Sequence, residues 1–222
     1  QFYFVYGKIV HKIAEVHVQE GGKRPIGVVC EDVLKGRIEI ENGKKGPPLP
    51  LEYRKRMPLH IKSLERLNGS IGCDGITEHK FRYDLQPPNE KMATGFIDRI
   101  ILRDDKAWII DYKTTKAGPF RENKETIKYD PQLRMYCRVV QKDFGIHPSK
   151  IKAALYYLED GLILSASYDE ESLISIESEL LGLYDEINER RPEHAVGRTG
   201  GHCQRCEYKD MCPFFKSKSR VL

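Results

Sequence analysis

The chain has 222 residues, 40% of them hydrophobic and 32% charged, with a formal net charge of +4. That length suffices for one large domain with a sizeable core, or one domain with an appendage, and so mild a charge does not by itself argue for nucleic acid. No apolar run approaches the ~18 residues of a membrane span, and the opening Gln-Phe-Tyr-Phe-Val-Tyr lacks the basic leader of a secretory signal, so a cytoplasmic protein is expected. The chain does not open on Met, and the native N-terminus is expected to lie upstream.

Residues 3–20 read as a helix. Ile9, Val10, Ile13, Ala14 and His17 recur at helical spacing, and Gly21-Gly22 ends the run. Residues 21–50 carry little pattern, and Glu41-Asn-Gly-Lys-Lys-Gly-Pro-Pro48 reads as a loop. Residues 51–68 look helical, with a break expected at Pro58. Strands are expected over 71–85 and 92–114, then a polar, basic loop over 115–128. Asp130-Pro131 is a helix start, with Asp as N-cap and Pro in the first turn, and Gly145 closes that helix. Ile151–Leu158 and Leu162–Tyr168 form a second hairpin around Asp160-Gly161, and 169–190 is a long amphipathic helix. The order helix, strand, hairpin, helix, hairpin, helix predicts an α/β (α+β) fold, a mixed central sheet flanked by helices.

Within the first hairpin, Gly95–Leu102 and Ala107–Thr114 are apolar, β-branched runs separated by Arg103-Asp-Asp-Lys106. If Asp104 and Asp105 are the two turn residues, Asp98 lies directly opposite Asp111, and Lys113 shares the face of Asp111. Opposed carboxylates have Cβ atoms roughly 4.5–5.5 Å apart and repel. Burying them among Ile, Leu, Phe and Trp is costly unless a cation holds them, and Mg²⁺ suits carboxylates combined with water and phosphate. The blander reading makes them strand-end charges and Lys113 their surface partner. A one-residue slip would send one carboxylate to the other face.

Two basic stretches could contact phosphates, Lys113, Lys116, Arg121, Lys124 and Lys128 after the hairpin, and Lys44, Lys45, Arg54, Lys55 and Arg56 before it. Half of the six cysteines, Cys203, Cys206 and Cys212, fall close together near the C-terminus. In a chain this large with no leader, that spacing suggests a metal or cluster site rather than disulfides. Cys137 is expected in the core.

Several of these pieces together resemble the RecB-family branch of the PD-(D/E)xK nuclease superfamily: Gly95-x-x-Asp98-Arg99-Ile100, Asp111-Tyr112-Lys113-Thr114 and Gln132-x-x-x-Tyr136. Gly7-Lys-Ile-Val-His11-Lys-Ile-Ala-Glu15 is similar to that family's first helix, and Glu78-His-Lys-Phe81 to the strand before its catalytic hairpin. Cys203-x2-Cys206-x5-Cys212-Pro213 resembles the cysteine cluster of members that carry an iron–sulfur cluster. The pieces keep the family's order from Gly7 to Pro213.

The resemblance implies a restriction-endonuclease-like core over residues 1–199, with a cysteine-containing segment, 200–222, packed on it. It implies a Mg²⁺- or Mn²⁺-dependent DNA nuclease, an exonuclease on single-stranded or frayed DNA serving repair, recombination or phage replication, with a helicase or recombination protein as partner. A spacer-trimming nuclease of CRISPR adaptation shares the motif set, and a non-catalytic DNA-binding module with a structural metal cluster is a further reading. The implied metal ligands are His11, Asp98, Asp111 and the main-chain carbonyl of Tyr112. Glu78 would be an additional carboxylate, and Glu15 a hydrogen-bond partner for the second His11 nitrogen. Lys113 would orient the attacking water or stabilise developing charge, and Gln132 and Tyr136 would position the strand or nucleophile. Cys203, Cys206 and Cys212 would hold a [4Fe–4S] cluster, with zinc, or no cluster, as alternatives. In the family a fourth cysteine precedes the first helix. Here Cys30, Cys73 or a residue upstream would have to serve, or His202 for zinc.

Overall fold

The computed structural model describes residues 2–40, 43–87, 91–115, 118, 121–189, 197, 199–200, 203–204 and 206–217. It divides into two compact units, Gln1–Leu181 and Gly182–Leu222.

The first unit is built around a five-stranded mixed sheet in the order β1 (Ile76–Gln86), β2 (Lys91–Arg103), β3 (Lys106–Lys113), β4 (Ile151–Tyr157), β5 (Leu162–Ala166). All neighbours are antiparallel except β3 and β4, which run parallel and are joined through helix α4 (Pro131–Phe144). The mixed sheet flanked by helices is the architecture the sequence predicts. Each face has its own apolar layer. Along β3, Ala107 and Ile109 enter the layer shared with α4 and α5 (Glu170–Glu189), while Trp108, Ile110 and Tyr112 enter the layer under α1 (Phe2–Gln19), α2 (Ile26–Leu34) and α3 (Leu51–Ile71). The period-two alternation of one strand thus glues helices to both sides.

Local chemistry accounts for the key boundaries. Asp104 and Asp105 take φ of +47° and +58°, so both turn residues are left-handed, as a two-residue hairpin demands. Arg103 then pairs with Lys106 and the ladder runs back to Arg99 opposite Ile110, the expected register. At α4 the Asp130 carboxylate accepts the Leu133 N–H at 2.8 Å, Pro131 opens the helix, and Gly145 closes it at φ +65°.

Two expectations are corrected. Residues 26–34 form α2, where three valines, an isoleucine and a glycine offer little helix propensity. Its buried Ile26, Val29, Cys30 and Val33 recur on one face, so packing rather than propensity makes the helix. Helix α3 runs unbroken through Pro58. Pro58 is on the exposed side, so the carbonyl it leaves without a donor can take water, while Met57, His60, Leu64 and Leu67 stay buried.

In the second unit, Gly182–Leu222, a short helix, α6 (Pro213–Ser217), follows a run of turns containing Cys203 and Cys206.

Candidate active site

The site forms where the sheet's alternation fails. On β2, Ile97 and Ile100 both face the α4 side, so the pleat changes phase between them, at Asp98. On β1 the pairs Thr77–Arg99 and His79–Ile97 bracket Glu78, the residue across from Asp98. Glu78 has φ +49°, a left-handed conformation inside a strand. Such strain costs of order 1–3 kcal/mol and concentrates at functional sites. Here it turns the Glu78 side chain toward the His11–Asp98 pair.

Ligand atoms of His11, Glu78 and Asp98 lie within 4.8 Å of one another, the convergent metal-ligating group among the described residues. His11, on α1, is half-buried. Its Nδ1 lies 3.2 Å from Asp98 Oδ1, and its Nε2 donates to the Tyr112 carbonyl at 2.9 Å. Asp98 Oδ2 accepts the Tyr112 N–H at 2.7 Å. Asp111 is 3% exposed and ion-paired through Oδ2 with Lys113 Nζ at 2.6 Å, and Lys113 donates to Gln132 Oε1 at 2.9 Å. Gln132 Nε2 in turn donates to the buried Tyr136 hydroxyl at 2.7 Å. One chain of contacts thus runs from Asp111 through Lys113 and Gln132 to Tyr136.

The electrostatics describe a site crowded with negative charge. Burial, then Asp98, raises the Glu78 carboxyl to about 7, and the same two causes push Asp111 well above the usual carboxylate range. Burial alone would lower the His11 imidazolium, but Asp98, Asp111 and Glu78 outweigh it and raise it to about 9. For Lys113 burial is likewise outweighed, chiefly by Asp111, so the ammonium is held charged. Burial followed by Asp111 and Asp98 drives the Tyr136 phenol up, so it stays neutral. A single imidazole among hard carboxylate oxygens is a donor set that Mg²⁺ or Mn²⁺ fits, and a cation there would relieve the repulsion.

The structure therefore brings His11, Glu78, Asp98, Asp111, Tyr112, Lys113, Gln132 and Tyr136 to one region. It does not give Glu15 its expected partner. The Glu15 carboxylate takes Lys12 at 2.5 Å and Gln19 at 3.1 Å, and both His11 nitrogens are engaged by Asp98 and Tyr112. Helical neighbours captured it first. Of the basic residues expected on phosphates, Arg56 is tied to Glu159 and the Thr114 carbonyl, Arg121 to Asp160, and Lys128 to Glu125. Lys116 and His202 lie outside the described residues. Cys137 is buried on α4, as expected, and Cys30 is packed into the α1–α2 layer. Cys203, Cys206 and Cys212 are half-buried free thiols, with the Gly200 N–H donating to Cys203 Sγ at 3.3 Å.

Two supports were missed in the sequence. Arg99, fully buried, donates to the Gly72 and Asp74 carbonyls and to Asn68 Oδ1 at 2.7–3.0 Å, fixing the end of α3 to the residue beside Asp98. The signal was an arginine inside an apolar strand. Gly95 lets the Phe81 ring lie against β2, where a Cβ would come within 2.8 Å of it, and Phe81 packs edge-on against Tyr136 with centroids 6.0 Å apart.

An open cleft of about 720 Å³ leads to His11 and Glu78. A separate cavity of about 370 Å³, lined by Leu67, Trp108, Tyr156 and Ile163 among others, contains no candidate ligand.

Over residues 2–213 the chain matches the family model of the PD-(D/E)XK nuclease superfamily. No curated protein matches it. Among solved structures, one described as "Crystal structure of SSO0001" is similar at 17% identity, covering 94% of this chain and 84% of that chain with a TM-score of 0.40.

Proposed function

The chain belongs to the PD-(D/E)XK nuclease superfamily, and from that premise we propose that it is a RecB-type exonuclease, hydrolysing phosphodiester bonds of single-stranded or frayed DNA. Membership implies a metal-dependent nuclease acting on DNA. The observation that carries the reading to this chain is the convergence of His11, Glu78 and Asp98 within 4.8 Å, beside the Asp111–Lys113 pair.

In this mechanism His11, Asp98, Asp111 and the Tyr112 carbonyl would hold Mg²⁺ or Mn²⁺, with Glu78 as a further carboxylate. Such an ion, when bound, would supply Lewis-acid chemistry to the phosphate and the attacking water. Lys113, kept charged by Asp111, offers its ammonium to the negative charge that builds on the phosphate. Gln132 fixes that ammonium through its carbonyl oxygen and is itself fixed by Tyr136. Arg99 and the Tyr112 N–H hold β2 and the Asp98 carboxylate in place. Phosphate positioning falls to side chains not committed to internal ion pairs.

The C-terminal segment would hold a [4Fe–4S] cluster through Cys203, Cys206 and Cys212, with a fourth ligand from elsewhere. Zinc is the alternative. No helix among the described residues is long and apolar enough to cross a membrane, and we place the protein in the cytoplasm, with a helicase or recombination protein as partner in repair, recombination or phage replication. Spacer trimming in CRISPR adaptation would use the same chemistry, and the three C-terminal cysteines are what favour it.

The test is digestion of end-labelled single-stranded and duplex oligonucleotides with Mg²⁺, Mn²⁺ or chelator. Stepwise, metal-dependent shortening of the single strand is expected. Metal-independent cleavage, or none under any condition, would remove the reading.

A further inference from the structure

One pleat along from Glu78 and Asp98, the same pair of strands carries Lys80 opposite Phe96. Residues two apart on a strand share a face and lie roughly 6.5–7 Å apart. Both line the cleft that reaches His11 and Glu78, and Tyr3 and Phe4 of α1 line its other side. Phe96 is 51% exposed, and Lys80 is exposed with no ion-pair partner among the described residues. An uncovered aromatic face and an unneutralised cation, side by side and next to carboxylates that converge for a metal, have no evident use in the fold. Phe96 adds nothing to either apolar layer, and its position beside Asp98 gives it access to whatever occupies the site.

We infer that Lys80 and Phe96 form a nucleotide subsite adjoining the scissile phosphate. The base stacks on the Phe96 ring, and the neighbouring phosphate meets Lys80. The ring can accept only a base whose face is free. Bases in a duplex are stacked on each other, whereas an unpaired strand presents every face. Phe96 is thus the residue that selects unpaired DNA, and it does so without reading sequence, since every base has a π-face. The cleft's charge agrees with this occupant. Lys80 supplies the positive charge that a phosphate requires, at a place where the Glu78–Asp98 pair would otherwise repel the strand. This inference rests on the nuclease reading and goes beyond it by naming the side chains that choose the substrate.

The experiment measures binding of a fluorescent single strand and of a blunt duplex by anisotropy, in an Asp111→Asn background that prevents cleavage. Phe96→Ala and Phe96→Leu should each weaken single-strand binding roughly 5- to 150-fold, the range for loss of one stacked base. Phe96→Tyr should preserve it, and duplex binding should not change. Lys80→Ala should lower the slope of log affinity against log salt by about 0.7, the value for one phosphate contact on a single strand. Abasic sites walked along the oligonucleotide should find one position whose penalty disappears in Phe96→Ala, because the two changes delete the same contact. Phe96 lies at the cleft surface, so its variants should melt with the parent, and Phe96→Leu controls for loss of apolar bulk. Equal loss on single strand and duplex, or abasic penalties that add to Phe96→Ala at every position, would overturn the subsite. If the otherwise unmodified protein digests DNA with Mn²⁺ while Phe96→Ala keeps its KM on single strands, the subsite falls and the nuclease stands. If the unmodified protein neither binds nor cleaves DNA, both fall.

Discussion

The Tyr112 N–H donates to the Asp98 carboxylate at 2.7 Å, where the β2–β3 ladder would otherwise form its next pair beyond Arg99–Ile110. A side chain has replaced a main-chain carbonyl as acceptor, and the second oxygen of Asp98 is left to face His11. Asp98 therefore has two separable duties. Asp98→Asn keeps an oxygen for the Tyr112 N–H and should fold with nearly the parent stability, while losing the carboxylate charge. Asp98→Ala leaves that buried N–H without a partner, at about 1–3 kcal/mol. Melting with and without Mn²⁺ checks both duties. The parent should gain stability from Mn²⁺, by about 2.7 kcal/mol at a hundredfold excess over Kd, and Asp98→Asn should gain little. Equal Mn²⁺ stabilisation of parent and Asp98→Asn would take Asp98 out of the metal site.

Gln132 is a bridge, since its carbonyl oxygen takes Lys113 and its amide nitrogen donates to Tyr136. It touches no convergent ligand. Gln132→Ala should lower kcat by roughly ten- to a hundredfold, in line with freeing a charge-stabilising ammonium, at an unchanged Mn²⁺ concentration for half activity. Gln132→Glu would add a carboxylate near Asp111 and should behave differently, raising the metal dependence. A large shift in metal requirement with Gln132→Ala would mean that the residue acts on the ion instead.

What the sequence made legible here is what nearest-neighbour chemistry fixes. The turn at Asp104 and Asp105 set the register, and with it the nearness of Asp98, Asp111 and Lys113. Asp130, Pro131 and Gly145 set the bounds of α4, and so the spacing of Gln132 and Tyr136 on one face. Most of the failures turn on tertiary packing, on exposure or on partners distant in sequence; Glu15 is the exception, taken by Lys12 and Gln19 on its own helix. Helix α2 exists because its Val29 and Val33 are buried in the layer it shares with α1, a contact no local propensity encodes. Pro58 is tolerated because its side of α3 faces solvent. Arg56 and Arg121 looked like phosphate contacts, but Glu159 and Asp160, 103 and 39 residues downstream of them, neutralise them. Glu78 was named from its motif as an additional carboxylate, but the left-handed backbone that turns it toward His11 and Asp98 is visible only in three dimensions.

Gly95 supports the site through packing. A methyl there meets the Phe81 ring at 2.8 Å, and Phe81 braces Tyr136. Gly95→Ala should cost about 1–3 kcal/mol through overpacking and reduce turnover by displacing Tyr136. Phe81→Leu should relieve part of the clash, so the double variant should be more stable than the two single losses predict, by at least about 0.5 kcal/mol. Urea unfolding of the four proteins measures this directly. Strict additivity would show that Gly95 is required for some reason other than Phe81.

His60 gives a prediction in pH. It is fully buried on α3, between the Tyr6 hydroxyl at Nδ1 (2.8 Å) and the Glu159 carboxylate at Nε2 (3.0 Å). A neutral ring satisfies both, with Tyr6 donating to Nδ1 and Nε2–H donating to Glu159, whereas a charged ring would leave two donors facing each other at Nδ1 and the Tyr6 hydroxyl to turn away. Burial lowers the imidazolium's pKa and Arg56 adds to this, outweighing the opposing pull of Glu159. In the unfolded chain His60 takes up its proton near 6.5, while the folded protein refuses it until lower pH. The unfolded state therefore binds more protons in that interval, so the stability His60 contributes is present above about 6.5 and is lost as pH falls through the folded value. The His60 ring resonance, followed by NMR from pH 8 to 5, should titrate below 6.5, and the urea midpoint should fall over the same interval. His60→Gln should flatten that part of the stability profile, whatever it costs at neutral pH. A His60 resonance titrating above 6.5 would mean that Glu159 wins over burial, and the sign of the pH dependence would reverse.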